Sequence, residues 1–215
     1  MNPANRLAQI SFTAGPAALL AGWFLMRPIH GSLEPGPWWT AAHALWLAAF
    51  LMFGMMTAAM RGLAGPVTGG RRVAVTALTG LALLSVAANL AQLGIDLYAG
   101  FASADGTAMR ALLEQVQGYP GVEPLVYGPG AMLFYAALLV QAVLLGVLRR
   151  VTPVSAAVTA GGVVLLAAAT FMDGRGSNLV AVGMAVLWLG ALLLGRGTSD
   201  SETSTSTPSR ELTAA

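Results

Sequence analysis

The stretch VAVTALTGLALLSVAANLAQLGIDLYAG, from Val73 to Gly100, decides the fold. It holds a single charged residue, Asp96, and is longer than the roughly 20 apolar residues needed to cross about 30 Å of hydrocarbon. In lipid a backbone must satisfy its own hydrogen bonds, and nothing here alternates as a membrane barrel does, so the stretch predicts a transmembrane helix. Ser85, Asn89, Gln92 and Asp96 are spaced so that, at about 100° per residue, they fall within roughly 60° of one another. This polar stripe is costly against lipid and must face other helices or a wet cavity. Interhelical hydrogen bonding alone would account for Ser85, Asn89 and Gln92, and a solvated helix end would account for Asp96.

Runs of the same kind recur on both sides. With Ile10 to Met26, Trp38 to Met60, Gly130 to Leu148, Val154 to Met172 and Leu179 to Leu194 they make six candidate spans, and the fold class is an all-α polytopic membrane bundle. Composition agrees: of 215 residues 56% are hydrophobic and 9% charged, and the mean hydropathy is +0.71, whereas a soluble domain carries about 25% charged residues. Cysteine is absent and there are two histidines, which excludes thiolate chemistry and argues against a zinc site. A net charge of +2, all of its basic residues arginine and dispersed, gives no nucleic-acid footprint. The first run has the charged flank of a signal peptide but no small-residue cleavage site before Arg27, so it is read as a mature helix.

The arginines set the orientation. With the N-terminus inside, Arg6, Arg61, Arg71, Arg72, Arg149, Arg150, Arg196 and Arg210 are cytoplasmic, against Arg27, Arg110 and Arg175 outside, so both termini are expected in the cytoplasm. Residues 1–196 form the bundle, and residues 197–215, rich in Ser and Thr, are expected to be a disordered tail. The longest connection, 101–129, is external. Met109, Leu112, Leu113 and Val116 at helical spacing, with Asp105 as N-cap, predict a short amphipathic helix that lies on the membrane or caps the bundle. Pro120, Gly121, Pro124, Gly128, Pro129 and Gly130 then force an irregular return.

Outside the tail, every acidic residue maps to the outer half, so any acid chemistry belongs there. Trp39, His43, Trp46, Phe50 and Phe53 share one arc of the second helix, which is either an aromatic belt with core packing or the wall of a site. Asp173 and Arg175 sit at the end of the fifth span, where they could simply pair. Tyr98, Tyr119, Tyr127, Phe134 and Tyr135 are further outer-half candidates, and Gln141, seven residues after Phe134, is expected to extend the polar interior. GPVTGGRR and TAGGVV lack the spacing and the lysine of a phosphate loop, and there is no HExxH, GxSxG or magnesium-binding acidic cluster.

Acids, an imidazole and aromatic faces around an apolar interior are what is needed to protonate an alkene or epoxide and steer the carbocation without a metal. In size, helical build and dependence on acidic residues the chain resembles the small integral-membrane terpene cyclases of bacterial hybrid isoprenoid pathways. The resemblance covers residues 10–195 in general character. It implies Asp96 and Asp173 as acids, His43 as proton relay, Trp39, Trp46, Phe50 and Tyr98 as a cation-lining wall, and Asn89 and Gln92 as further substrate contacts. It implies no cofactor, a lipophilic small-molecule substrate and a bilayer setting. The pocket opens outward, so an isoprenoid made in the cytoplasm would reach it through the bilayer. The alternative is a non-enzymatic binding, sensing or transport protein whose outer pocket takes a lipophilic or cationic ligand, with a homo-oligomer able to complete a transport path. A purely structural or immunity-type membrane protein would need none of these residues.

Overall fold

The computed structural model describes residues 3–29, 33–172 and 178–203, so Asp173 and Arg175 lie outside the described residues. Seven α-helices account for nearly all of it: α1 (Pro3–Leu25), α2 (Pro37–Leu63), α3 (Gly69–Ala102), α4 (Gly106–Gln117), α5 (Pro129–Val147), α6 (Pro153–Met172) and α7 (Asn178–Thr203), with a π-helical turn at Glu123–Tyr127. Five segments are long and apolar enough to cross a membrane: Arg6–Leu25, Pro37–Leu63, Gly69–Ala102, Glu123–Val147 and Asn178–Arg196. The sixth expected span corresponds to a shorter apolar helix, Pro153–Ala169 within α6. Two limits differ from the sequence reading. The first helix starts at Pro3, several residues before the apolar run, and α7 runs on to Thr203, past the point where the tail was expected to begin. Once a helix is nucleated, extension costs little per residue, and no proline interrupts the chain before Pro208.

The six long helices close into a ring in chain order, α1 on α2, α2 on α3, α3 on α5, α5 on α6, α6 on α7 and α7 back on α1. Lipid tails are as apolar as leucine, so close backbone approach and polar contacts hold such a ring rather than exclusion from water. Glycine supplies the approach between α6 and α7. A Cβ on Gly162 would fall 2.5 Å from the Leu187 backbone, one on Gly183 2.7 Å from that of Leu166, and one on Gly190 2.6 Å from that of Thr159. These two helices are zipped over much of their length. By contrast, α5 and α6 are pinned near their connecting turn, where Gly146 leaves room for the Ala156 methyl.

The polar contacts set the register of α3 and α5. Ser85 Oγ reaches the carbonyl oxygens of Gly130 and Ala131 at 2.7 and 2.9 Å, and Asn89 Nδ2 donates to Ala131 O at 2.9 Å. The first turn of α5 is thereby fixed beside the middle of α3. From Asn89 to Ala102, α3 runs about 20 Å further at 1.5 Å per residue. That upper length is covered by the π-helical turn and by α4.

Asp105 Oδ1 caps α4 by accepting from Thr107 N and Ala108 N, both at 2.9 Å. Met109 and Leu113 of its apolar face are buried against Trp39 and Ala99, so α4 closes the end of the ring as a cap. The rest of the ring is filled by one continuous core in which Phe12, Phe53, Met56, Phe134, Leu138 and Leu194 are sealed from solvent.

Candidate active site

A half-open cavity of about 1380 Å³ occupies the α4 end of the ring, and every helix contributes to its walls. Asp96 stands on its α3 wall. The stripe that carries Asp96 faces inward, with Ser85, Asn89 and Asp96 all buried and Gln92 half-buried. Two other elements reach the Asp96 carboxylate. Tyr127, delivered by the π-helical turn, donates its hydroxyl to Oδ1 at 2.9 Å. Gln92, one helical turn earlier, lines the cavity beside it. On the other side Oδ2 lies 3.8 Å from His43 Nε2, close enough for charge interaction but too long for a direct hydrogen bond.

The imidazole is held from three directions. His43 Nδ1 is 2.8 Å from Trp39 O, and because a carbonyl oxygen can only accept, Nδ1 carries the proton. In the neutral ring this leaves the lone pair on Nε2, the nitrogen that faces Asp96. The Trp39 indole stacks on the ring at 3.9 Å and 26°, and Trp46 meets it edge-on at 5.0 Å and 73°. Both indoles are themselves tethered. Trp39 Nε1 donates to Asp96 O at 2.9 Å, which ties α2 to α3, and Trp46 Nε1 donates to Leu19 O at 3.0 Å, which ties α2 to α1. Each fits because it faces a glycine: a Cβ on Gly100 would overlap Trp39, and one on Gly22 would overlap Trp46.

Of the expected site residues, Asp96, His43, Trp39, Trp46 and Gln92 thus meet at one wall. The others separate from it. Asn89 is spent on the α3–α5 contact and does not line the cavity. Phe50 shares the arc of His43 but lies two turns deeper, packed against Phe53 and Phe134 in the core. Tyr98 is 62% exposed: two residues past Asp96, it is turned about 200° round the helix and cannot join the wall. Gln141 is also elsewhere. It is buried beside a void of about 10 Å³ shared with Met60 and Thr79, next to Arg61. Asp173 lies outside the described residues.

Trp23 was not singled out by sequence reasoning and lines the cavity from α1, with the Arg27 guanidinium 4.5 Å above its ring. The signal available was the four-residue spacing, which stacks an arginine over an indole on one helix face. Arg27 also donates to Asn178 Oδ1, linking α1 to α7. Arg110 and Glu114 of α4 complete an exposed, charged rim. Among the described residues no group of three or more His, Cys, Asp or Glu side chains could hold a metal ion. Comparison with protein-family models, with curated proteins and with solved structures returns no match.

Proposed function

We propose that the chain is a multi-pass cell-membrane enzyme, a metal-independent cyclase that protonates an alkene or epoxide of an isoprenoid-bearing substrate and guides the carbocation to ring closure. In this reading all six ring helices span the bilayer, α6 included since its 20 residues reach about 30 Å, and both termini are cytoplasmic by the arginine bias. The observation that carries the proposal is the carboxyl of Asp96, set in the wall of a large apolar cavity between a hydroxyl donor and an imidazole. Asp96 Oδ2 delivers the proton to the substrate. The Tyr127 hydroxyl on Oδ1 then stabilises the carboxylate left behind, a charge-assisted bond stronger than its neutral counterpart. His43 Nε2, facing Oδ2, takes the proton released when the final cation collapses to an alkene and passes it back to Asp96, so the cycle is proton-neutral. The aromatic faces of Trp23, Tyr127 and Tyr135 favour the migrating cation without capturing it.

Such a reaction is an isomerisation, which sets the test. Purified protein in lipid vesicles is given a farnesylated phenol and, separately, its terminal epoxide. A product of unchanged mass with fewer carbon–carbon double bonds is expected. Recovery of bound but unconverted ligand would instead make this a binding or transport protein.

A further inference from the structure

The cavity does not end at the charged rim under α4. On α5 its lining residues Met132, Ala136 and Leu139 recur at helical spacing on a face about 150° round from Phe134, Leu138 and Leu145, which enter the core. On α6 the lining residues Val164, Ala167 and Ala168 are turned away from Thr159 and Gly162, which contact α7, while Val163 and Leu166 line the cavity from the buried side. Met132 is 46% and Val164 55% exposed. Beyond the close contact of α5 with α6 at Gly146 and Ala156, Met132 and Ala136 of α5 and Val164 and Ala167 of α6 thus line the cavity and are exposed on the flank of the bundle at once. All of these lining side chains are apolar, while Asp96, His43, Gln92 and Tyr127 line the cavity from α2, α3 and the π-helical turn.

From this polarity we infer that the cleft between α5 and α6 is a lateral doorway to the hydrocarbon, through which an amphiphile's long apolar chain lies while its polar head reaches the Asp96 wall. The inference deepens the proposed function and rests on it for the nature of the head group. The route also removes a geometrical difficulty: a lipophilic molecule made on the cytoplasmic side reaches an outward-facing site within the bilayer and never crosses water. The other side of α6 is taken up by the close contact with α7 at Gly162, Gly183 and Gly190.

The test uses intact protein in phosphatidylcholine vesicles containing a farnesyl phenol with a diazirine on its terminal isoprene unit. After irradiation, adducts are mapped by mass spectrometry. Adducts are expected within 132–139 of α5 and 163–168 of α6. The double variant A136W/A167W, altered on an exposed flank away from the core, should reduce them about tenfold or more by steric filling. Adducts that avoid this cleft, or that persist at full yield in A136W/A167W, would overturn the doorway. So would equal labelling by a diazirine-tailed phosphatidylcholine, which would make the cleft a bulk-lipid groove. Labelling is read without turnover: an inactive protein with a labelled cleft counts against the cyclase alone, and an active one labelled elsewhere counts against the doorway alone.

Discussion

The Tyr127 hydroxyl donates to Asp96 Oδ1 at 2.9 Å, joining the π-helical turn to the C-terminal part of α3 across 31 residues. The contact does two things at once: it fixes one carboxylate oxygen in space, and it holds down the irregular segment that closes the gap above α5. Tyr127→Phe removes the donor and keeps the ring. A hydrogen bond to a charged group contributes about 1.5 to 3 kcal/mol, so turnover should fall roughly tenfold to a hundredfold while the helical circular dichroism is unchanged. Wild-type rates in Tyr127→Phe would remove the hydroxyl from the catalytic account.

Trp39 and Trp46 should respond as positioning residues. Trp39→Phe keeps an aromatic face for the imidazole but breaks the hydrogen bond from α2 to Asp96 O, a loss of about 1 kcal/mol. A lowered thermal midpoint in detergent checks this, together with a change in product distribution as His43 loosens. Trp46→Leu, which also loses the edge contact to His43, should slow turnover by about tenfold.

The glycines opposite these indoles make a separate prediction. Gly22→Val and Gly100→Val place branched side chains where Trp46 and Trp39 sit, and should destabilise the fold by about 1 to 3 kcal/mol through overpacking. Gly94→Val, on an exposed face of α3 with nothing within 4 Å of its Cβ position, is the control and should be near neutral. Equal melting points for all three variants would contradict the packing described here.

Orientation is tested independently of chemistry. Reporter fusions after Arg196 and within residues 101–129 should report opposite sides of the membrane, the former cytoplasmic. Matching sides would overturn the proposed topology.

How much of this was legible in the sequence depends on the kind of information each residue carries. Periodicity gives the face of a helix, so the inward turn of Ser85, Asn89 and Asp96, and the arc that brings Trp39, His43 and Trp46 together, could be read directly. The Asp105 cap was legible for the same local reason. Periodicity gives no partner and no depth. Phe50 shares a face with His43 but is core, because two helical turns carry it past the cavity. Tyr98 was grouped with Asp96 by depth when its face already excluded it. Asn89 is on the right face and binds Ala131 instead, because α5 begins at that level, and the level is set by the length of the irregular return. Tyr127 sits on that return, where Pro124 and Gly128 break any repeat, so its pairing with Asp96 arises from tertiary packing alone. The pairing of α6 with α7 was hidden for the same reason: the glycines that zip the two helices are visible in the sequence, but which neighbour they serve is not.

The central claim is that Asp96 supplies the initiating proton, and Asp96→Asn addresses it directly. The substitution preserves size and most hydrogen bonding at the site and removes the transferable proton. In vesicles with the farnesylated phenol epoxide, Asp96→Asn should insert and fold as the wild type does and lose turnover by on the order of a hundredfold to ten-thousandfold. Conversion by Asp96→Asn at a rate near that of wild type would contradict the account.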